Sequence, residues 1–202
     1  MQKGFFVALE GGEGTGKTTL CALLKQRFES EGIAVVATRE PGGIKSAETI
    51  RNNILEFDLD LKSELFLYLA ARREHLIHKI LPALEQGKLV ISDRFYLSTL
   101  AYQSYAGGLD INLVRTFNNF VCDVLPDLNI FIDLNPEIGL NRKVDDINKI
   151  DLLGLNFHQK VYQGYKQLTN NKIDNIKSID GTLSLEEIEE QIYQLIKKSL
   201  SF

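Results

Sequence analysis

This sequence is poor in the residues that cross-link a chain or hold a metal. Its 202 residues include two cysteines and three histidines. Cys21 and Cys122 make neither a disulfide framework nor a metal site. Both sit in apolar helical patterns and read as core residues of a reduced, cytoplasmic protein. His75, His78 and His158 fall on helices with no cysteine or carboxylate pattern beside them, so they read as structural and no zinc site is expected. A large excess of charge of one sign is lacking too. Lys and Arg total 23 against 27 Asp and Glu, a formal net charge of −4, which argues against nucleic acid as a partner, since that needs a basic face. No apolar run is long enough for a membrane span or a signal, the run at Phe5 being only a strand's length. Repeats and low-complexity tracts are missing as well. What remains is 44% hydrophobic and 25% charged, enough for a sizeable core and one domain over residues 1–202.

What is present begins with Gly11-Gly12-Glu13-Gly14-Thr15-Gly16-Lys17-Thr18. It fits the phosphate-loop pattern G-x-x-x-x-G-K-[ST] at every fixed position. A strand-like run, Phe5 to Leu9, precedes it, and a helical pattern from Thr19 through Leu20, Leu24 and Phe28 follows, the context the motif requires. The glycines let backbone N–H groups turn inward onto phosphate oxygens, and the helix N-terminus adds positive charge there. Lys17 is expected on the β- and γ-phosphates and the Thr18 hydroxyl on Mg²⁺. A nucleoside triphosphate is therefore the expected ligand.

Along the rest of the chain, strands alternate with helices. Residues 33–37, 88–93, 128–133 and 173–180 read as further strands; residues 46–55, 61–86, 96–104, 110–122, 136–143, 157–168 and 185–200 read as helical, with Pro82 splitting the second. This alternation predicts an α/β fold with a five-stranded parallel sheet flanked by helices. Ligands of such sheets bind at the strands' carboxyl ends. The loops at 10–18, 38–43 and 93–96 all fall there.

Asp93 closes an apolar strand, the place of an acid that organises Mg²⁺. Arg39 and Arg94 follow strand ends, and Arg72 lies on the helix between them; Arg73 reads as structural. Three converging guanidinium groups exceed what one triphosphate needs and point to a second anion. The aromatics Phe66, Tyr68, Phe95, Tyr96 and Tyr102, with Gln103, could wall a base. These residues leave two classes open: a kinase acting on a small phosphorylated acceptor, and a nucleotide-dependent switch or assembly ATPase. The arginine set and a lid-like polar segment favour the kinase. Asn148-Lys149-Ile150-Asp151 spells the guanine-reading N-K-x-D of GTPases, but the polar Val144 to Ile147 before it is not a buried strand.

The chain resembles the thymidylate kinase family. The resemblance rests on Glu10 to Thr19, on Thr38-Arg39-Glu40-Pro41-Gly42-Gly43, on Ala71-Arg72 with His75, on Asp93-Arg94-Phe95 with Ser98, and on Ala101-Tyr102-Gln103. Gly139 to Arg142, Phe157-His158, Gly164-Tyr165 and Ile179-Asp180-Gly181 extend it over nearly the whole chain. It implies the P-loop kinase fold, a lid at about 142–153, a homodimer, and transfer of the γ-phosphoryl of Mg·ATP to dTMP, giving dTDP and ADP on the way to dTTP. It also implies the roles. Gly11 to Thr19 with Arg142 would bind ATP, Arg142 stacking on adenine beside Asp180-Gly181-Thr182. Glu13 would meet the acceptor's 3′-hydroxyl, and Tyr68 would stack on thymine. Arg72 would bridge base and phosphate. Arg39 and Arg94 would hold the acceptor phosphate. Tyr102 would pack on the sugar, with Thr99 and Gln103 near the base. Asp93 would reach the metal through water. Phe95 and Glu74 stand where the family usually has Tyr and Gln. The lid departs further: its cations are Arg142, Lys143 and Lys149, where family members whose glycine loop, like this one, holds no arginine usually carry several lid arginines.

Overall fold

The computed structural model describes residues 4–142 and 147–200. Five parallel strands, β1 (Phe5–Glu10), β2 (Val35–Arg39), β3 (Leu89–Asp93), β4 (Leu128–Asp133) and β5 (Ile176–Asp180), form one sheet in the order β2-β3-β1-β4-β5. Around it lie α1 (Lys17–Ser30), α2 (Lys45–Glu56), α3 (Leu61–His75), α4 (Leu81–Glu85), α5 (Tyr96–Thr99), α6 (Ile111–Val121), α7 (Pro136–Arg142), α8 (Gly154–Asn170) and α9 (Leu185–Leu200).

The apolar run of β1 is continuous because helices cover both faces of the sheet. Its side chains alternate between two cores. Phe6 and Ala8 enter one with Val90, Phe95, Phe131 and Tyr165. Val7 and Leu9 enter the other with Leu20, Ile91, Ile130 and Ile192.

Two strands start later than the sequence pattern predicts. The Ile33 N–H is spent on Phe28 O at the end of α1, so β2 pairing opens only at Val35, opposite Leu89. Ile173 is 70% exposed, and β5 opens at Ile176, opposite Asn129. Pro82 does split the long helix, through a π-helical stretch at Leu76–Ile80 in which Leu81 N–H donates to Leu76 O. The wider turn shifts the preceding carbonyls that a proline ring would otherwise strike. A second π-helical stretch, Leu100–Ala106, follows α5 directly.

The sheet register sets the site. Leu9 pairs with Asp93, and Asp93 with Arg39. The ends of β1, β3 and β2 thus form one row, which brings the glycine loop, Asp93-Arg94 and Arg39 to the same edge.

Candidate active site

The loop leaves β1 and turns into α1 through glycines in left-handed conformations, Gly14 at φ 67° and Gly16 at φ 80°. Gly14 is further constrained by close packing. A Cβ there would lie 1.8 Å from the Gly139 carbonyl oxygen, and one on Gly139 would lie 2.2 Å from Glu13 O. The loop therefore rests backbone against backbone on α7. Lys17 is buried. Its Nζ donates to Gly12 O at 2.7 Å and to Thr15 Oγ1 at 2.8 Å. Burial, and next the nearby Arg94 charge, lower its pKa to about 8. Thr18 Oγ1 donates to Asp93 Oδ2 at 2.6 Å.

Arg94 follows β3 with φ 68°, a left-handed backbone that costs a non-glycine residue about 1–2 kcal/mol. Three contacts hold it. Its N–H donates to Leu9 O at 2.8 Å, its carbonyl accepts from Ser92 Oγ, and its Nη1 donates to Gly11 O at 2.7 Å. Its Nη2 then reaches Glu13 Oε1 at 2.6 Å, which also accepts from Tyr102 OH at 2.8 Å. Behind it, the fully buried Glu10 accepts from Phe95 N, Ser98 Oγ and Tyr165 OH. Burial raises the Glu10 pKa against these donors and the Arg94 charge.

Arg72 is buried on α3. Its Nε donates to Glu40 Oε2 at 2.7 Å and its Nη1 to Thr99 Oγ1 and Asn118 Oδ1. Glu40 Oε1 lies 3.0 Å from His75 Nδ1, and His75 Nε2 lies 2.6 Å from Thr38 Oγ1. Burial opposes both charges of the Arg72–Glu40 pair, yet their mutual attraction prevails: Arg72 stays above its ordinary range and Glu40 below its own. Removing one partner of such a pair costs about 3–5 kcal/mol, so the histidine and the glutamate brace the arginine. Arg39 is half exposed and paired with Glu48 at 2.9 Å.

These groups surround one cleft of about 410 Å³, within the usual range for ligand sites. Glu13 to Thr19 line it, as do Arg39, Tyr68, Arg72, Asp93, Arg94, Thr99, Tyr102, Gln103 and Arg142. The two halves anticipated from the sequence therefore share one cavity. Gly11 and Gly12 sit behind the lining and supply the carbonyls that hold Arg94 and Lys17.

The model of the thymidylate kinase family matches residues 9–192 of this chain. The chain belongs to the thymidylate kinase family. It is 44% identical over 206 residues to a thymidylate kinase of Oceanobacillus iheyensis, spanning 98% of this chain and 92% of that protein. A thymidylate kinase of Shouchella clausii is 42% identical over 208 residues, with 99% and 98% covered. The crystal structure of thymidylate kinase from Ehrlichia chaffeensis superposes with a TM-score of 0.79 at 32% identity, over 96% of this chain and 99% of that one. The P-loop kinase fold follows, and with it the activity of the family, a phosphotransferase that phosphorylates dTMP.

Within this thymidylate kinase fold, some sequence expectations need correction. Lys149 does not face the cleft. Its Nζ donates to Phe57 O at 2.8 Å and lies 3.7 Å from Asp58, because the chain turns sharply at Asn148–Asp151, where Asn148 N–H donates to Asp151 Oδ2. That turn, not a strand end, also disposes of the guanine-reading motif. Arg142 does line the cleft and donates to Gly181 O at 3.1 Å. Lys143 and residues 144–146 lie outside the described residues. Phe66 faces outward, 55% exposed, and Tyr96 is buried against Asp174, so neither walls the cleft. Arg73 pairs with Asp123 and Val121 O away from it. Arg51 was missed. It lines the cleft from α2 and donates to Pro41 O, and its place on a polar helix next to the Arg39–Gly43 loop was the available signal. Among the described residues no group of three His, Cys, Asp or Glu side chains could hold a metal ion, and no helix is long and apolar enough to cross a membrane.

Proposed function

We propose that this cleft transfers the γ-phosphoryl group of ATP to the 5′-phosphate of dTMP, with the whole chain acting as one kinase domain. The observation that carries the reading is the contact between the two halves: Glu13 of the glycine loop is bonded to Arg94 and Tyr102, so donor and acceptor share a wall. Lys17 and the N–H groups of Gly14 to Thr19 hold the donor phosphates. Thr18 and Asp93 fit Mg²⁺, since they offer oxygen donors to a hard cation and already meet at 2.6 Å. Thr18 would ligate it directly and Asp93 through water. An ion held there would supply positive charge against the donor phosphates.

Arg39, Arg94 and Arg51 receive the acceptor phosphate, so that two anions can approach in line. Arg72, fixed by Glu40, spans base and phosphate. Tyr68 stacks on thymine, Thr99 and Gln103 edge the base, Tyr102 packs on the sugar, and Glu13 takes the 3′-hydroxyl. Arg142 lies against the donor adenine beside Gly181. Lys149 would reach the transferring group only by leaving Phe57 O. Closure of the lid at about 142–153 excludes water and limits hydrolysis.

The protein acts as a homodimer in the cytoplasm. An outward apolar face supports the dimer: Phe66 of α3 packs against Phe117 of α6 with tilted rings, centroids 5.4 Å apart, and Phe120 on the same helix is 85% exposed. A monomer in sedimentation velocity, or fractionation with membranes, would overturn these assignments.

The test of the reaction is ADP release across a panel of monophosphates. Release is expected to require dTMP, with dUMP weaker and purine monophosphates inert. Release indifferent to every monophosphate but stimulated by a macromolecule would favour the switch instead.

A further inference from the structure

We infer that Glu64 sets which pyrimidine this kinase accepts, by fixing the orientation of the Gln103 amide. This inference rests on the reading that Gln103 faces the acceptor base. Gln103 is 4% exposed in the second π-helical stretch and lines the cleft. Its backbone carbonyl is occupied by the Leu109 N–H at 3.1 Å, so its main chain is anchored and the side-chain amide is left to find its own partner. That amide donates through Nε2 to Glu64 Oε1 at 3.0 Å. Glu64 stands in the first turn of α3, one turn before Tyr68, and is not part of the cleft lining.

The chemistry leaves one arrangement. A carboxylate offers acceptors only, whereas an amide has a donor end and an acceptor end. With Glu64 as neighbour, the NH₂ end of Gln103 must turn to it, and the carbonyl oxygen is left for the ligand. Set against the N3 edge of the ring, where the reading of Gln103 as base-facing would place it, that acceptor matches a pyrimidine with hydrogen on N3, as in thymine and uracil. Cytosine presents a lone pair at N3 and would meet the carbonyl acceptor to acceptor. Rejection by a misoriented polar group can exceed what shape alone achieves. Glu64 is thus a positioning residue, and its effect passes through Gln103.

The test is Glu64→Gln, which keeps shape and removes the obligate acceptor, so Gln103 can turn either end to the base. Glu64→Ala serves as a second variant. In both, kcat/KM for dCMP relative to dTMP should rise by about tenfold or more, the scale of one hydrogen bond gained in place of a clash. The dUMP to dTMP ratio, which shares the N3 hydrogen, and the KM for ATP should hold. A merely structural role would lower all substrates together. An unchanged dCMP to dTMP ratio in both variants, with Gln103→Ala still lowering kcat/KM for dTMP, overturns the inference about Glu64. Full dTMP activity in Gln103→Ala overturns the reading of Gln103 as base-facing.

Discussion

Lys17→Ala should lower kcat for dTMP phosphorylation on the order of a thousandfold, the upper end of what one preorganised donor to a charged transition state contributes. Lys17 sits buried with its Nζ on Gly12 O and Thr15 Oγ1, poised in the loop and held at a pKa of about 8 by burial and by Arg94. Incoming phosphates favour the charged form and raise that pKa. Above pH of about 8, donor binding should therefore draw a proton onto Lys17. Calorimetry in buffers of different ionisation enthalpy would read this uptake in the parent and its loss in the variant. A variant that keeps more than about a tenth of the parent kcat would remove Lys17 from the reaction, since that loss is below the effect of any such donor.

Arg94→Ala is the second large expectation. Its guanidinium joins the loop to the acceptor side, and an arginine beside transferring phosphate is worth about 10³–10⁵ in rate. We expect kcat/KM for dTMP to fall on that scale, while ATP binding by the variant falls far less. The variant also strips a cation from beside the buried Glu10, so a melting curve must accompany the kinetics. Arg94→Lys separates charge from shape. Lysine keeps the charge and loses the fork that reaches Gly11 and Glu13 together, and should recover only part of the rate. Unchanged dTMP kinetics in Arg94→Ala would sink the acceptor assignment.

The legible parts of this protein are those whose cause is local. The glycine loop, β1, β4 and α9 each carry their own signal in periodicity or motif, and Asp93 and Arg94 announce themselves by following an apolar strand. The illegible parts are decided by residues far along the chain. Nothing near Glu40 says that it is buried; Arg72 and His75 on α3 make it so. Arg51 enters the cleft because α2 packs on α3 and leaves its guanidinium against Pro41. The sequence offers Lys149 as a lid cation because the resemblance calls for a cation in that segment and it is the one present at 144–153. Its Nζ bonds instead to the carbonyl of Phe57, 92 residues away in the chain. The start of β5 slips by three residues for the same reason, since its pairing opens only opposite Asn129, while β2 slips by two because the Ile33 N–H is spent on Phe28 O.

The close approach of Gly14 and Gly139 bears on how this protein can be rebuilt. Phosphate loops are often imagined as cassettes that could be moved between sheets. Here the loop's outer surface is moulded by the α7 backbone, with no side chain between them. Grafted alone, it would lose the wall that shapes it. Chimeras that exchange the first half of the chain with a relative must carry α7 along with the loop, and libraries that diversify the loop should leave both glycines untouched. Two segments far apart in the gene are, in this respect, one inheritable part.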